Sequence, residues 1–93
     1  MPLDIIELEF DDGNEPKFAA HGISTHEVMQ VLEDNFCLFR NKRQASGSYL
    51  LVGRTHGGRL ITIPIVETIV PGRWRPITAW ESSRAERTRY QNR

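Results

Sequence analysis

The sequence has little cysteine, no long hydrophobic run and no visible leader. Cys37 is the only cysteine among 93 residues, which excludes an internal disulfide and any metal site built from several cysteines. No apolar stretch approaches the roughly 18 residues needed to cross a bilayer. The opening residues, Met-Pro-Leu-Asp, lack the basic and apolar regions of a signal peptide. These absences predict a cytoplasmic protein that does not contact a membrane.

Cofactor motifs are missing as well. The sequence has no phosphate-binding glycine loop, no dinucleotide fingerprint and no Gly-x-Ser-x-Gly elbow. Its three histidines, His21, His26 and His56, lack the spacing and the neighbours of metal ligands. The sequence therefore predicts no metal and no cofactor.

Charge is balanced over the whole chain but divided sharply along it. Residues 1–35 hold nine acids and one base, a net charge of −8, and residues 36–93 hold eleven bases and three acids, a net charge of +8. Ten of the twelve bases are arginine, which recognises phosphate in a bidentate manner. Two interpretations stay open. The halves neutralise each other within one fold, or the arginines converge on nucleic acid.

The apolar pattern predicts an α+β fold in a single domain that spans residues 1–93. Ser24 and Glu27 form a capping box that opens a helix over residues 23–34, and Ser83 and Glu86 form a second one that opens a short terminal helix. Asn14 is expected to cap a short helix with Pro16 in its first turn and Gly22 after its end. Strands are predicted at 5–10, 36–40, 49–53, 59–67 and 73–80, with a polar loop at 41–47. Pro64 predicts an edge or a bulge in its strand.

Three stretches form an ordered set that covers nearly the whole chain. They are His21-Gly22-Ile23-Ser24 with Glu27 and Val28, then Val52-Gly53-Arg54 with Gly58-Arg59-Leu60-Ile61, and last Arg75-Pro76-Ile77-Thr78-Ala79 with Ser83 and Glu86-Arg87-Thr88-Arg89-Tyr90. Each stretch alone is a weak signal. Together they are moderately specific, and the set resembles the BrnT family of toxins. The sequence departs from the family pattern at Phe10, Ala20 and Trp80, where tryptophan, lysine and arginine are expected.

The resemblance implies a RelE-like fold, with helices packed on a small antiparallel sheet and a short C-terminal helix. It implies a metal-independent endoribonuclease toxin of a type II toxin–antitoxin pair, whose partners are RNA and a cognate antitoxin of ribbon-helix-helix type. In such enzymes the RNA 2′-hydroxyl attacks its own phosphate, and side chains supply proton transfer and charge stabilisation. The alternative is a catalytically degenerate toxin-fold protein that binds protein or RNA. The sequence also leaves a homo-oligomer open.

The resemblance and the arginine pattern together indicate candidate site residues. His21 is a candidate general acid or base because its ordinary pKa suits neutral pH, and Lys17 stands one helical turn before it. The candidate phosphate-binding residues, Arg54, Arg59 and Arg75, are predicted to converge on one surface. The candidate contacts to RNA or a partner are Trp74, Trp80, Arg84 and Tyr90, with both tryptophans expected on one face of the last strand. Each arginine can equally be solvated or ion-paired, and the ring of His21 can equally pack against the sheet. The face that carries both tryptophans can equally be core, and Ala85 and Tyr90 can equally dock the terminal helix.

Overall fold

The computed structural model describes residues 4–42 and 47–93. These residues form six strands and three helices in an α+β arrangement, and the last helix is short. The elements are β1 (Glu7–Leu8), α1 (Glu15–Ala20), α2 (Thr25–Val31), β2 (Cys37–Arg40), β3 (Tyr49–Arg54), β4 (Leu60–Glu67), β5 (Arg73–Pro76), β6 (Trp80–Glu81) and α3 (Arg84–Gln91). The sheet order is β1-β5-β4-β3-β2, and β6 also pairs with β4. Among the strands of the described residues, only the β1–β5 pair is parallel, so the sheet is mostly antiparallel.

The sheet has a thickly covered face and a thinly covered one. On the first face, Leu51, Ile61, Ile63 and Ile65 pack against α1 and α2, and all four are fully buried. Gly53 lets α2 approach closely, because a Cβ there would lie 2.7 Å from Cγ1 of Val31. The residues between these positions on β3 and β4 point to the opposite face of the sheet, because side chains alternate along a strand.

The second face carries α3 over β3 and β4. Its buried cluster consists of Val52, Leu60 and Tyr90, and Tyr90 is the only one of these that comes from α3. The rest of α3 is polar, and Ala85 is exposed. The predicted docking of the terminal helix is therefore confirmed for Tyr90 and is wrong for Ala85.

Both capping boxes predicted from the sequence are confirmed. Ser24 opens α2 with Glu27, and Ser83 opens α3 with Glu86. Asn14 precedes α1 but does not cap it through its side chain. Its amide nitrogen instead donates to the carbonyls of Glu9 and Pro76, at 2.8 and 2.9 Å. Asn14 thus joins the residue after β1 to the end of β5. The strand predicted at 5–10 is shorter in the structure, where β1 has two residues.

The strand predicted at 73–80 is interrupted at residues 77–79, and the position of Pro64 explains why the break falls there. Pro64 lies in the central strand β4 and not at an edge of the sheet. Its carbonyl accepts from the Ile77 N–H at 2.8 Å, so its side without an N–H faces residues 77–79, between β5 and β6. The irregularity expected at Pro64 therefore appears in the neighbouring strand.

Two sequence predictions are only partly covered. Of the predicted loop at 41–47, residues 43–46 lie outside the described residues. Within residues 4–42 and 47–93, no helix has the length and apolar character needed to span a membrane.

Candidate nucleic-acid interface

Four arginines of the basic half are held by carboxylates. Arg59 pairs with Glu27, Arg75 with Asp11, Arg73 with Glu9 and Arg87 with Glu81, at 3.0 to 3.4 Å. Three of these four acids come from residues 1–35, the acidic part of the chain. The two halves therefore neutralise each other in part, as the first interpretation of the charge pattern proposed.

Arg59 ties the β3–β4 hairpin to the entry of α2. Its Nη1 donates to the Gly22 carbonyl at 3.1 Å and to both carboxylate oxygens of Glu27 at 3.2 and 3.0 Å. The pKa of Glu27 is lowered, first by the hydrogen bond from the Ser24 backbone N–H and then by Arg59. Arg59 thus links two of the stretches that carry the family resemblance.

Arg75 ties β5 to the turn that precedes α1. Its Nε and Nη2 donate to the two carboxylate oxygens of Asp11, at 3.1 and 3.0 Å. These hydrogen bonds lower the pKa of Asp11 and raise that of Arg75. The contact is bidentate, the geometry with which arginine would also hold a phosphate.

Arg54 lies against the other face of the sheet. Its guanidinium carbon is 5.8 Å from the centre of the Tyr90 ring, and its Nη1 donates to the Gly58 carbonyl at 3.0 Å. Arg59 contacts α2, and Arg54 contacts α3. The prediction that Arg54, Arg59 and Arg75 converge on one surface is therefore wrong, because the hairpin register sends the first two to opposite faces.

Lys17 and His21 are both exposed on the α1 side of the sheet. His21 is the C-cap of α1 and precedes Gly22, whose carbonyl Arg59 binds. Arg75 and Asp11 stand at the opposite end of the same helix. The five candidate catalytic residues thus lie in three places: Lys17, His21 and Arg59 near the C-terminal part of α1, Arg75 beside the turn that precedes α1, and Arg54 against α3. Arg59 reaches the first place through the carbonyl of Gly22, the residue after His21.

The aromatic candidates divide in the same way. Trp74 is 3% exposed, belongs to the core of the first face and donates from Nε1 to the Asp4 carbonyl at 3.1 Å. Trp80 pairs with Thr62 and faces α3. The expectation that both tryptophans share a face is wrong, because the strand is interrupted between them. Tyr90 is buried, with its hydroxyl donating to the Asn35 carbonyl at 2.8 Å, and Arg84 is exposed on the first turn of α3.

Glu86 fixes Trp80 in place. One carboxylate oxygen of Glu86 accepts from the Ser83 backbone N–H at 2.8 Å, from the Thr62 hydroxyl at 2.9 Å and from the Trp80 indole N–H at 3.1 Å. Three donors on one oxygen make this carboxylate an anchor between β4, β6 and α3. The same contacts leave the half-buried Trp80 at the rim of a groove.

This groove gathers cations that the sequence did not single out as site residues. It has a volume of about 360 Å³, and we call it the cationic groove. Its lining residues are Arg40, Asn41, Lys42, Leu50, Trp80, Glu86 and Arg89. Within residues 4–42 and 47–93, no ion pair involves Arg40, Lys42 or Arg89.

Aromatic rings support two of these cations. The guanidinium carbon of Arg89 is 4.1 Å from the centre of the Phe39 ring, and that of Arg40 is 5.8 Å from the centre of Tyr49. A guanidinium that lies over a ring can still donate from its N–H groups, which point outward in the plane of the guanidinium. Arg40 pairs with Tyr49 on the first face of the sheet, so the cations on the groove's own face are Lys42 and Arg89, beside one anchored carboxylate and one indole. The sequence signal for it was the basic run that starts at Arg40.

Metal chemistry has no visible site in the described part of the chain. No group of three or more His, Cys, Asp or Glu side chains there could hold a metal ion. No model of a known protein family matches the sequence, and a search of the curated proteins finds no match.

Proposed function

We propose that this protein acts on single-stranded RNA as a toxin similar to the BrnT family, with the RNA backbone held in the cationic groove. The observation that carries the proposal is the pair of cations Lys42 and Arg89 beside Trp80. Cations without carboxylate partners attract the phosphate backbone, and an indole at the rim offers a surface on which a base can stack.

The contacts between the resembling stretches support a toxin-type fold. Arg59 of the second stretch binds Gly22 and Glu27 of the first. Thr62, which follows the second stretch, donates to Glu86 of the third. These contacts join the three stretches, so residues that carry the resemblance also hold the fold together. A RelE-like fold and a cognate ribbon-helix-helix antitoxin are part of the same proposal.

Cleavage, in this proposal, needs no metal. The RNA 2′-hydroxyl attacks the adjacent phosphate, and nearby cations stabilise the negative charge that develops. The candidate catalytic residues implied by the resemblance are His21, Lys17, Arg54, Arg59 and Arg75. Lys17, His21 and Arg59 lie on the α1–α2 side of the sheet, opposite to the groove, so the RNA would have to extend beyond the groove to reach them. Glu86 is a poor base for this step, because three donors already occupy one of its oxygens.

A second candidate is a protein of this fold that binds RNA without cleaving it. Two observations favour it. The guanidinium groups of Arg59 and Arg75 are each held by a carboxylate, which offsets the charge that a phosphorane would need. Trp80 also stands where the family pattern has an arginine, which removes one more cation and leaves an aromatic surface.

Binding of labelled single-stranded RNA, followed by fluorescence anisotropy over a range of salt concentrations, tests the groove. We expect affinity to fall steeply with salt. The double variant Lys42→Ala, Arg89→Ala should weaken binding about tenfold or more and reduce the salt slope by roughly two, one for each lost phosphate contact. The control, Arg73→Ala, removes a cation outside the groove and should change affinity by less than about threefold. Equal losses in both variants would contradict the site.

Cleavage is tested separately, with the same RNA in excess chelator. The toxin proposal expects weak cleavage that persists in chelator, is lost in Arg59→Ala and rises in Ala20→Lys or Trp80→Arg. A wild-type protein that binds RNA but does not cleave it, with no gain in either of those two variants, would replace the first candidate by the second. Activity that requires magnesium would contradict the proposed mechanism.

A further inference from the structure

A second groove lies on the first face of the sheet, between β1 and α2. It is lined by Ile6, Glu7, Leu8 and Phe10 from the β1 segment and by Met29, Leu32 and Glu33 from α2 and its C-terminal end. Its volume of about 380 Å³ lies in the lower part of the roughly 300–1,000 Å³ typical of ligand pockets. Five of its seven lining side chains are apolar and the other two are carboxylates. We call it the acidic apolar groove.

Two of the lining side chains are unusually exposed for their size. Ile6 is 74% exposed and Met29 is 46% exposed, although both are large and apolar. Leu8 and Phe10 beside them are half-buried. A contiguous apolar strip that stays in contact with water is typical of a surface that another molecule covers.

The charge around the groove selects the kind of molecule. Glu7 and Glu33 line it, and none of the basic side chains in residues 4–42 and 47–93 does. One oxygen of Glu33 contacts His56 at 2.7 Å, so this glutamate is oriented by the hairpin that follows β3. A polyanion such as RNA is repelled here, whereas a cationic partner is attracted.

We propose that the acidic apolar groove binds a cationic amphipathic helix of a partner protein. Met29 and Leu32 stand three residues apart on one side of α2, and Leu8 and Phe10 form the floor beside them. A helix laid next to α2, with the axes about 8–10 Å apart, would cover Ile6 and Met29 with its apolar stripe. Its lysines or arginines would then face Glu7 and Glu33.

A second copy of this chain fits the groove poorly. Its basic helix is α3, whose apolar residues are Ala85 and Tyr90, and Tyr90 is already 5% exposed in its own fold. α3 therefore offers positive charge without the apolar stripe that the groove needs. The partner must supply both on one helix.

Synthetic peptides of about 18 residues, long enough to form a helix, test this proposal by fluorescence anisotropy. The first peptide carries leucine at helical spacing with lysine on both flanks. The second replaces every lysine by glutamate, and the third places two prolines in the middle of the first. We expect the first peptide to bind, and the other two to bind at least about tenfold more weakly. Equal binding of the glutamate peptide, or of the proline peptide, overturns the proposal.

Matched substitutions locate the site. Ile6→Lys and Met29→Lys should each weaken binding of the lysine peptide about tenfold, because each removes an apolar contact and adds a like charge. The control is Ile69→Lys, since Ile69 is fully exposed and does not line the groove; it should change affinity by less than about twofold. Equal effects at all three positions, or no saturable binding to the wild type, overturn the proposal.

Two further measurements separate this proposal from its neighbours. Met29→Lys should leave RNA affinity within about twofold of the wild type, so failure of the peptide experiment and failure of RNA binding can be told apart. Sedimentation of the wild type over a range of concentrations detects self-association. Self-association that Met29→Lys abolishes would assign the groove to a second copy and overturn the partner helix.

Discussion

The two faces of the sheet are stabilised in different ways. On the first face, ten buried apolar side chains from α1, α2 and the sheet form one cluster. On the second face the buried apolar cluster consists of Val52, Leu60 and Tyr90. Polar contacts complete that second face, through Thr62, Ser82 and Glu86.

This difference in packing determines where each face has room for a ligand. The middle of the first face is filled by apolar side chains, and its acidic apolar groove lies beside β1, at the margin of α2. The second face is covered by one eight-residue helix held by Tyr90 and Glu86. Half-buried side chains such as Trp80 and Leu50 therefore border the cationic groove.

The largest expected effect of a single change is at the centre of the first face. Phe18 is fully buried and its ring lies 6.0 Å from that of Phe10 in an edge-to-face arrangement. Phe18→Ala should lower the free energy of unfolding by about 3–5 kcal/mol, through lost transfer energy and a cavity. Urea unfolding followed by tryptophan fluorescence measures it.

The matched change on the second face is Phe39→Ala. Phe39 is only half-buried and supports Arg89, so we expect a loss of about 1–2 kcal/mol. If the two losses were equal, the contrast between a thick and a thin face would be wrong.

An effect smaller than that of Phe18→Ala, but larger than that of Phe39→Ala, is expected at the polar anchor of the second face. Glu86→Ala removes the acceptor for Ser83, Thr62 and Trp80, and it should lower the free energy of unfolding by about 2–3 kcal/mol. Glu86→Gln should lose less, because its side-chain carbonyl still accepts. Glu81→Ala is the control: its exposed ion pairs should contribute less than about 1 kcal/mol. An equally large loss in Glu81→Ala would contradict the anchor.

The sequence predicted the helix starts well because their signals are local. Ser24 with Glu27, and Ser83 with Glu86, satisfy backbone donors within a single turn, so four residues contain the whole interaction. Asn14 looked like a third cap of the same kind. Its side chain bonds instead to a carbonyl 62 residues away, at Pro76, and no local pattern announces that contact.

The placement of the arginines shows the limit of local signals most clearly. Arg54 and Arg59 flank one hairpin, but Arg54 pairs with Leu60, so Arg59 lies one step out of register with its neighbour across the hairpin. That single step sends them to opposite faces. The cationic groove brings Lys42 together with Arg89, almost fifty residues later. The order of the helices and strands along the chain does not determine which side chains come together in such a groove.

The smallest expected effect is the response of the first face to acid. The pKa of Glu27 is lowered in the folded protein, first by the Ser24 backbone N–H and then by Arg59. A carboxyl whose folded pKa lies below its unfolded value stabilises the fold above the unfolded pKa. That stabilisation disappears as the pH falls through the folded value. The contribution should therefore be complete at neutral pH and should decline below about pH 4.

Glu27→Gln isolates this contribution, since glutamine can keep the capping box while it cannot ionise. At pH 7 the variant should be less stable than the wild type by about 1 kcal/mol, and the difference should shrink towards zero near pH 3. Arg59→Met should retain part of the pH dependence, because the Ser24 N–H still binds the carboxylate. Urea unfolding at both pH values measures the differences. If the gap between wild type and Glu27→Gln stayed constant with pH, the ionised carboxylate would not be what joins α2 to the hairpin. The hydrogen bonds that a neutral side chain can also make would then account for it.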